Sequence, residues 1–190
     1  MIATLASANA DKARELGRSL PGWEIGLLEA GELPPEVGAT YYENALAKAR
    51  FGRTAGARGW VLGEDSGIEV EALGGGPGIR SARWAEDGVA RLLAELRGVA
   101  GEGRRARYVC ELVALSPAGE ELRGRGTLEG HVAEEPRGSE GFGYDPIFVP
   151  DGETLTVAEL GNAWKAEHSH RARAARALAA AIAAASSSSA

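Results

Sequence analysis

The sequence predicts an α/β fold in which a long, twisted mixed β-sheet is flanked by helices. In the first half of the chain, short apolar runs alternate with segments of helical spacing, as in folds that interleave strands and helices. In the second half, strand-like segments follow one another more closely. The chain has 190 residues, of which 44% are hydrophobic and 25% charged, so we expect one globular domain with a substantial core.

The first half is predicted to alternate strands and helices in chain order. The predicted strands cover residues 1–6, 23–28, 60–63 and 68–72. A first helix is expected from Ala10 to about Pro21, where a Pro-Gly pair ends it. Thr40 and Glu43 form a capping box, which predicts the start of a second helix that ends near Ala55.

The second half is predicted to complete the sheet and to end in a helix. Asp87 is expected to cap a helix, and residues 108–115 are nearly all apolar, as in a central strand. Further strands are predicted near residues 120–126, 127–134 and 147–149. An alanine-rich helix over about 169–185 closes a single domain of residues 1–185, and residues 186–190 are expected to form a disordered tail.

Charge and composition restrict the possible partners. The chain has 21 basic and 27 acidic residues, a net charge of −6, which disfavours a broad nucleic-acid-binding surface. The sequence has no apolar stretch of membrane-spanning length, and its N-terminus lacks the basic start of a signal peptide, so a cytoplasmic protein is expected. The single cysteine, Cys110, lies in an apolar run and is expected to be a buried small hydrophobe.

Lysine is scarce, and its positions are informative. There are three lysines against eighteen arginines, and each lysine follows one of the three asparagines within a few residues. The pairs are Asn9 with Lys12, Asn44 with Lys48, and Asn162 with Lys165. A compact ammonium beside an amide suits a phosphate chain, so we hypothesise a polyphosphate site built from three distant segments. Chance is the alternative explanation.

Two of these pairs lie where a helix is predicted to begin. Ser7, Asn9 and Lys12 follow the first strand, and backbone N–H groups at a helix N-terminus favour an anion. Alternatively, Asn9 is an ordinary helix cap and Lys12 is solvated. Asn44 and Lys48 are four residues apart and share a helix face, while Glu43 is either the capping-box acid or a metal ligand.

An acidic segment, Glu64-Asp65-Ser66-Gly67, directly follows a predicted strand. Adjacent carboxylates at the C-terminal end of a strand lie where α/β sheets bind ligands. Magnesium takes one or two carboxylates together with phosphate oxygens and water. One of the two acids could also orient or deprotonate an attacking water. The alternative is a plain acidic turn.

Two segments near the C-terminus combine aromatic, acidic and basic residues. In the glycine-rich loop, Phe142 can stack on a nucleotide base and Asp145 can accept hydrogen bonds from ring N–H groups. Lys165, His170 and Arg171 lie near the start of the last predicted helix and could bind base carbonyls or phosphate. The alternatives are a turn with packed aromatics and a helix start with solvated charges.

Together these five segments resemble the inosine triphosphate pyrophosphatase family, in the family's order, from Ser7 to Arg171. The most specific matching segments are residues 141–146 (GFGYDP), 65–67 (DSG) and 169–171 (SHR). The resemblance implies a homodimer whose subunits have two lobes and a central cleft. It also implies magnesium-dependent cleavage of ITP, dITP or XTP to the nucleoside monophosphate and pyrophosphate, which clears deaminated purines from the nucleotide pool.

The resemblance also implies roles for individual residues. The phosphate-binding residues would be Ser7, Ala8, Asn9, Ala10, Asp11, Lys12 and Lys48. Magnesium would be held by Glu43 and Asp65, with Glu64 as a secondary candidate, and Asp65 would also be the catalytic proton acceptor. The nucleotide pocket would be lined by Ser66, Phe142, Gly143, Tyr144, Asp145, Lys165, His170 and Arg171.

Two other functions remain open at this point. One is a pyrophosphatase for other modified nucleotides, such as pyrimidines. The other is a nucleotide-sensing module that binds without hydrolysis, which the intact acids Glu43 and Asp65 disfavour.

Overall fold

The structure, a computed structural model, describes residues 1–29 and 32–188. Its strands are Ile2–Leu5 (β1), Glu24–Leu27 (β2), Trp60–Val70 (β3), Arg105–Leu115 (β4), Glu121–Val132 (β5) and Phe148–Pro150 (β6). Its α-helices are Ala10–Ser19 (α1), Tyr41–Thr54 (α2), Gly88–Glu95 (α3), Val157–His168 (α4) and His170–Ser188 (α5). These elements confirm the predicted α/β class.

The strands form one six-stranded sheet in the order β2-β1-β3-β4-β5-β6. β1 pairs in parallel with both β2 and β3, whereas β5 and β6 are antiparallel, so the sheet is mixed as predicted. β3 and β4 are buried along most of their length. Such central strands can hold polar side chains only where partners satisfy them.

The chain divides into two compact units. The first is drawn from Met1–Asp65, Cys110–Gly126 and His170–Ala190, and the second from Ser66–Val109 and Thr127–Ser169. Each unit has its own hydrophobic core of buried side chains. The first core includes Leu5, Leu16, Leu62, Leu112 and Leu178, and the second includes Ile68, Leu92, Tyr108, Leu128 and Phe148. A central cleft between two lobes remains a prediction.

Two strands continue through a break that was predicted to divide each of them. β3 runs unbroken through the acidic segment that was expected to separate two strands, because buried cations compensate its carboxylates. β5 also runs through the expected break. Gly124 and Gly126 lie inside β5, and a Cβ at either position would be about 2 Å from an α5 carbonyl. These glycines therefore let α5 pack closely on the strand.

The C-terminal helices differ from the prediction. α4 is absent from the predicted elements, although Thr156 and Glu159 form a capping box that signals its start. Lys165 therefore lies on α4 and not at the start of the last helix. α5 continues to Ser188, so residues 186–188 are helical where a tail was predicted, and residues 189–190 lie outside the described residues. The helix continues because its C-terminal residues are mostly alanine, which has the highest helix propensity.

Among the residues that the structure describes, we found no helix with the length and apolar character needed to cross a membrane.

Candidate active site

The first unit holds two adjacent acids in the interior of β3. Glu64 and Asp65 are 1% and 3% exposed, in the middle of the strand. Their predicted place at a strand's C-terminal end is therefore wrong. The strand continues because cationic and amide side chains satisfy both carboxylates, and because Gly63 lets the backbone of α2 approach. We call these two acids and their partners the Glu64–Asp65 cluster.

Glu64 is enclosed by cations. Its Oε2 lies 2.5 Å from the Lys12 ammonium, and its Oε1 lies 2.8 Å from Nη2 of Arg171. Arg171 is itself buried and also pairs with Glu15, while the Cys110 thiol donates to Glu64 at 3.4 Å. Burial raises the pKa of Glu64, but the charges of Lys12 and Arg171 outweigh it and hold that pKa well below the usual range.

The start of α1 positions Lys12 toward Glu64. Asn9 is the helix cap, and its side-chain oxygen accepts the backbone N–H groups of Asp11 and Lys12. Ser7 in turn accepts the N–H of Asn9 through its hydroxyl oxygen. The capping interpretation of Asn9 is thus correct, but Lys12 is paired with a buried carboxylate and not solvated. Ala8 and Ala10, the remaining predicted residues here, are exposed.

Asp65 is bound by side chains of α2. The Asn44 amide donates to Oδ2 at 3.0 Å, and the Lys48 ammonium lies 3.2 Å from Oδ1. Burial raises the pKa of Asp65, and although Lys48 and Asn44 lower it, the pKa remains above its ordinary value. Lys48 also donates to the carbonyl oxygen of Glu64 at 3.1 Å. Lys12 and Lys48, from two helices, therefore meet at one residue.

Lys48 has a second acidic partner, Glu36, which was not among the predicted site residues. Glu36 forms an ion pair with its ammonium from the loop before α2. Burial lowers the pKa of Lys48, but the Asp65 charge and the bond to Glu36 outweigh it and raise that pKa. The Pro34-Pro35 pair indicated a loop, but no sequence spacing connects a loop acid to a helix lysine twelve residues later.

Glu43 lies in the first turn of α2, but its carboxylate bonds the residue before the N-cap and not Thr40 itself, so only half of the predicted capping box forms. Its carboxylate accepts the Ala39 N–H at 2.6 Å, and Thr40 accepts the Glu43 N–H. The predicted metal role of Glu43 would require this carboxylate to turn. Within residues 1–29 and 32–188, no group of three or more His, Cys, Asp or Glu side chains has a metal-binding arrangement.

The second unit holds a different buried cluster around Asp145. The Lys165 ammonium lies 2.6 Å from Oδ2 of Asp145, and both residues are almost fully buried. The backbone N–H of Phe142 donates to the same oxygen at 2.8 Å. Lys165 also lies 4.6 Å from the ring centroid of Phe142, a cation–π distance. The hydroxyl of Tyr108 donates to Oδ1 at 3.3 Å. We call this group the Asp145 cluster.

The glycines of the 138–143 loop permit this geometry. Gly141 has φ +79°, and a Cβ there would lie 2.2 Å from Asp145 Oδ2. Gly143 also has positive φ, and the Tyr144 hydroxyl donates to the Ser81 carbonyl at 3.0 Å. Ser66 is partly buried on β3 in the same unit.

The predicted site residues thus gather in two places. Lys12, Lys48, Glu64, Asp65 and Arg171 meet in the first unit, where His170 also begins α5. Phe142, Asp145 and Lys165 meet in the second. Arg171 was predicted to face the nucleotide, yet here its guanidinium is held by Glu15 and Glu64.

The chain is similar to known proteins over most of its length. A sequence model of the Ham1 family matches residues 3–181. The chain belongs to the Ham1 family. The dITP/XTP pyrophosphatase of Symbiobacterium thermophilum is 48% identical over 178 residues, covering 90% of this chain and 89% of that protein. That of Thermus thermophilus is 44% identical over 186 residues, covering 93% and 89%.

Solved structures of the Ham1 family agree with the fold. The Ham1 protein of Staphylococcus aureus superposes with a TM-score of 0.83 at 33% identity, covering 97% of this chain and 99% of that one. The nucleoside-triphosphatase / dITP/XTP pyrophosphatase of Mycobacterium abscessus has a TM-score of 0.71 at 40% identity, covering 95% and 97%. The resemblance that the motifs indicated is confirmed.

Proposed function

We propose that this Ham1 family chain hydrolyses non-standard purine nucleoside triphosphates (ITP, dITP and XTP) to the monophosphate and pyrophosphate, with magnesium as cofactor. Relatives up to 48% identical are named dITP/XTP pyrophosphatases. The observation that carries the proposal is the meeting of Lys12 and Lys48 at Glu64, beside the carboxylate of Asp65. Two ammonium groups can stabilise the charge that develops when a phosphoanhydride is cleaved, and an adjacent buried acid can accept a proton from water.

The phosphates are proposed to be bound by the segment from Ser7 to Lys12 and by Lys48. Both lysines already hold oxyanions, the carboxylates of Glu64 and Asp65. A triphosphate offers the same kind of oxygen with more charge, so it can compete for these ammonium groups. Lysine suits this exchange because its ammonium is a compact charge on a flexible stem.

The acids in the first unit fit a divalent cation. Carboxylate oxygens are the protein ligands that magnesium prefers, and Asp65 and Glu36 already hold one cation together, the ammonium of Lys48. Asp65 and Glu36 would therefore hold the metal, with Glu43 joining them if it leaves Ala39. Glu64 fits less well, because Lys12 and Arg171 already occupy its oxygens. When bound, magnesium supplies positive charge that stabilises the phosphate oxygens.

Asp65 is proposed to orient and deprotonate the attacking water. Its pKa is raised by burial, which makes its carboxylate a better proton acceptor than an ordinary aspartate. Asn44 fixes one carboxylate oxygen, and the position of Lys48 allows it to stabilise charge on the leaving pyrophosphate.

The Asp145 cluster is proposed to bind the purine base and to distinguish hypoxanthine and xanthine from adenine. Hypoxanthine and xanthine carry an N1–H and an O6, whereas adenine has a bare N1 and an amino group. Asp145 would accept from N1–H, Lys165 would donate to O6, and Phe142 would stack on the ring. Adenine would leave these buried groups unpaired, and such mismatches discriminate by about 10⁴-fold or more.

Pyrophosphate release tests the proposal directly. The purified protein should release pyrophosphate from ITP with magnesium and lose that activity with EDTA. Its kcat/KM should be much larger for ITP and XTP than for GTP, ATP or modified pyrimidine nucleotides. Tight ITP binding without pyrophosphate release would instead indicate a sensing module, and equal kcat/KM values would exclude the proposed selectivity.

The N-terminal sequence supports a proposal about cell location, and the resemblance supports one about assembly. We propose a cytoplasmic homodimer in which residues 1–185 form one domain of two lobes. Light scattering during size-exclusion chromatography should give about twice the 19.7 kDa chain mass. A mass equal to one chain across micromolar concentrations would contradict the dimer.

A further inference from the structure

A buried tyrosine hydroxyl contacts Asp145, the acid that is proposed to bind the purine base. Tyr108 lies on β4 and is 6% exposed, and its hydroxyl donates to Asp145 Oδ1 at 3.3 Å. Its ring packs against Phe148, with the ring centroids 4.5 Å apart. In the sequence, Tyr108 is one residue of a predicted apolar strand, and it lies outside the five segments that resemble the family.

Donors reach both oxygens of the Asp145 carboxylate. Oδ2 accepts from the Lys165 ammonium at 2.6 Å and from the Phe142 N–H at 2.8 Å, while Oδ1 accepts from Tyr108. Donors on both oxygens fix the plane of the carboxylate and suit its ionised, hydrogen-bond-accepting form. The loop and α4 thus constrain one oxygen, and Tyr108 constrains the other.

We propose that Tyr108 is a positioning residue that determines purine specificity. Its hydroxyl holds Asp145 as a fixed acceptor for the N1–H of hypoxanthine or xanthine. The inference rests on the proposed function, in which Asp145 accepts that proton. Tyr108 acts through Asp145 and not by touching the base.

The fixed position of the Asp145 carboxylate is what makes binding of adenine unfavourable. A fixed carboxylate facing the bare N1 of adenine would set two acceptors against each other, with no donor to pair them. A carboxylate released at Oδ1 could rotate toward water or toward the adenine amino group. Loss of the hydroxyl should therefore weaken the productive contact with hypoxanthine and relax the penalty on adenine.

The variant Tyr108→Phe removes only the hydroxyl and keeps the ring that packs on Phe148. We expect kcat/KM for ITP to fall about tenfold, mainly through KM, since a hydrogen bond to a charged group is lost. For ATP, kcat/KM should hold or rise, so the ITP/ATP ratio falls. Calorimetric binding of IMP and AMP should show the same loss of preference without turnover.

Tyr42→Phe is the matched control. Its hydroxyl also donates to a carboxylate, that of Glu121, but lies in the first unit and outside both clusters. We expect this variant to keep the wild-type ITP/ATP ratio and the wild-type preference for IMP.

The outcomes separate this inference from the proposed function. If the wild-type protein releases no pyrophosphate from ITP, the proposed function fails. If the wild type is selective and Tyr108→Phe keeps both its ITP/ATP ratio and its IMP preference, the role of Tyr108 alone is overturned. Circular dichroism and a melting curve check the fold, and a variant that cannot fold would assign the hydroxyl to core stability and overturn the inference as well.

Discussion

At the scale of single residues, two neighbouring acids in one strand have opposite electrostatic environments. Glu64 is surrounded by cationic charge, which holds its pKa well below the usual range despite burial. Asp65 has fewer cations, and burial raises its pKa. The first arrangement suits a structural ion and the second suits a proton acceptor. Each acid therefore has its own test.

The variant Asp65→Asn should separate turnover from binding. Without the proton acceptor, kcat for ITP should fall about 100-fold or more, while affinity for a non-hydrolysable ITP analogue changes far less. Steady-state kinetics and calorimetry measure the two quantities. The control is Glu32→Gln, which neutralises an exposed acid in the loop before α2 and should leave both unchanged. Wild-type turnover in Asp65→Asn would refute the assigned role.

Glu64 should stabilise the fold, with a defined pH dependence. A carboxyl whose pKa is lowered by folding contributes stability above its unfolded pKa and loses it as pH falls through the folded pKa. The free energy of unfolding should therefore decrease with acid below about pH 4.5, the ordinary value for glutamate. In Glu64→Gln this part of the decrease should be absent. Urea titrations across the acid range measure both slopes.

At neutral pH, Glu64→Gln should lower the free energy of unfolding by about 3–5 kcal/mol, because Lys12 and buried Arg171 lose their shared partner. Asp151→Asn is the comparison, since it breaks an exposed pair with Arg105 and should cost far less, because solvent screens exposed pairs. An equal decrease in the free energy of unfolding in the two variants would mean that burial does not strengthen the contribution of the Glu64 ion pairs.

At the scale of elements, the close contact of α2 with β3 sets the position of Asn44 and Lys48. A Cβ at Gly63 would lie 1.9 Å from the Ala45 carbonyl oxygen and 2.6 Å from the Ala49 nitrogen. These are backbone atoms of a helix and cannot shift one at a time, so α2 would have to move as a whole to relieve the overlap. Gly63 is therefore a positional requirement of the Glu64–Asp65 cluster.

We expect Gly63→Ala to destabilise the protein by about 1–3 kcal/mol through overpacking, and to lower turnover by displacing Lys48 from Asp65. Gly17→Ala in α1 is the matched control. A Cβ there meets nothing within 4 Å, so the change should stabilise α1 by about 0.5–1 kcal/mol and leave turnover intact. Thermal melts and ITP kinetics test both, and full activity in Gly63→Ala would contradict the requirement.

At the scale of the whole molecule, binding of the proposed nucleotide should stabilise the folded state against unfolding. A non-hydrolysable ITP analogue with magnesium should raise the melting temperature, by the equivalent of about 2.7 kcal/mol at a hundred times its Kd. Lys48→Met in the first unit and Asp145→Asn in the second should each reduce this shift. If a variant leaves the shift unchanged, the substituted residue takes no part in binding the analogue.

Much of this protein was predictable because the relevant signals are local. Strand and helix periodicity, the capping pattern at Thr40, and the scarce lysines come from short segments, so they identified the α/β class and most of the candidate residues. The same local signal at Thr156 went unused, and α4 was missed for that reason alone. Motif order along the chain indicated the family before any contact was known.

Other features depend on contacts between distant segments. The pairing of Arg171 with Glu64 joins residues 107 positions apart, and no pattern in the sequence predicts which acid holds that guanidinium. The sequence likewise does not predict the ion pair of Glu36 with Lys48 or the hydrogen bond from Tyr108 to Asp145.

The sequence by itself determined the class of fold, the family and the chemistry of the scarce lysines and acids, because residue type and spacing express these directly. Only the tertiary structure decided which charges are buried together, and so which acid is held as an ion and which is left ready to take a proton. The physical reason is that desolvation and Coulomb interactions depend on distance in space, whereas sequence spacing reports distance along the chain.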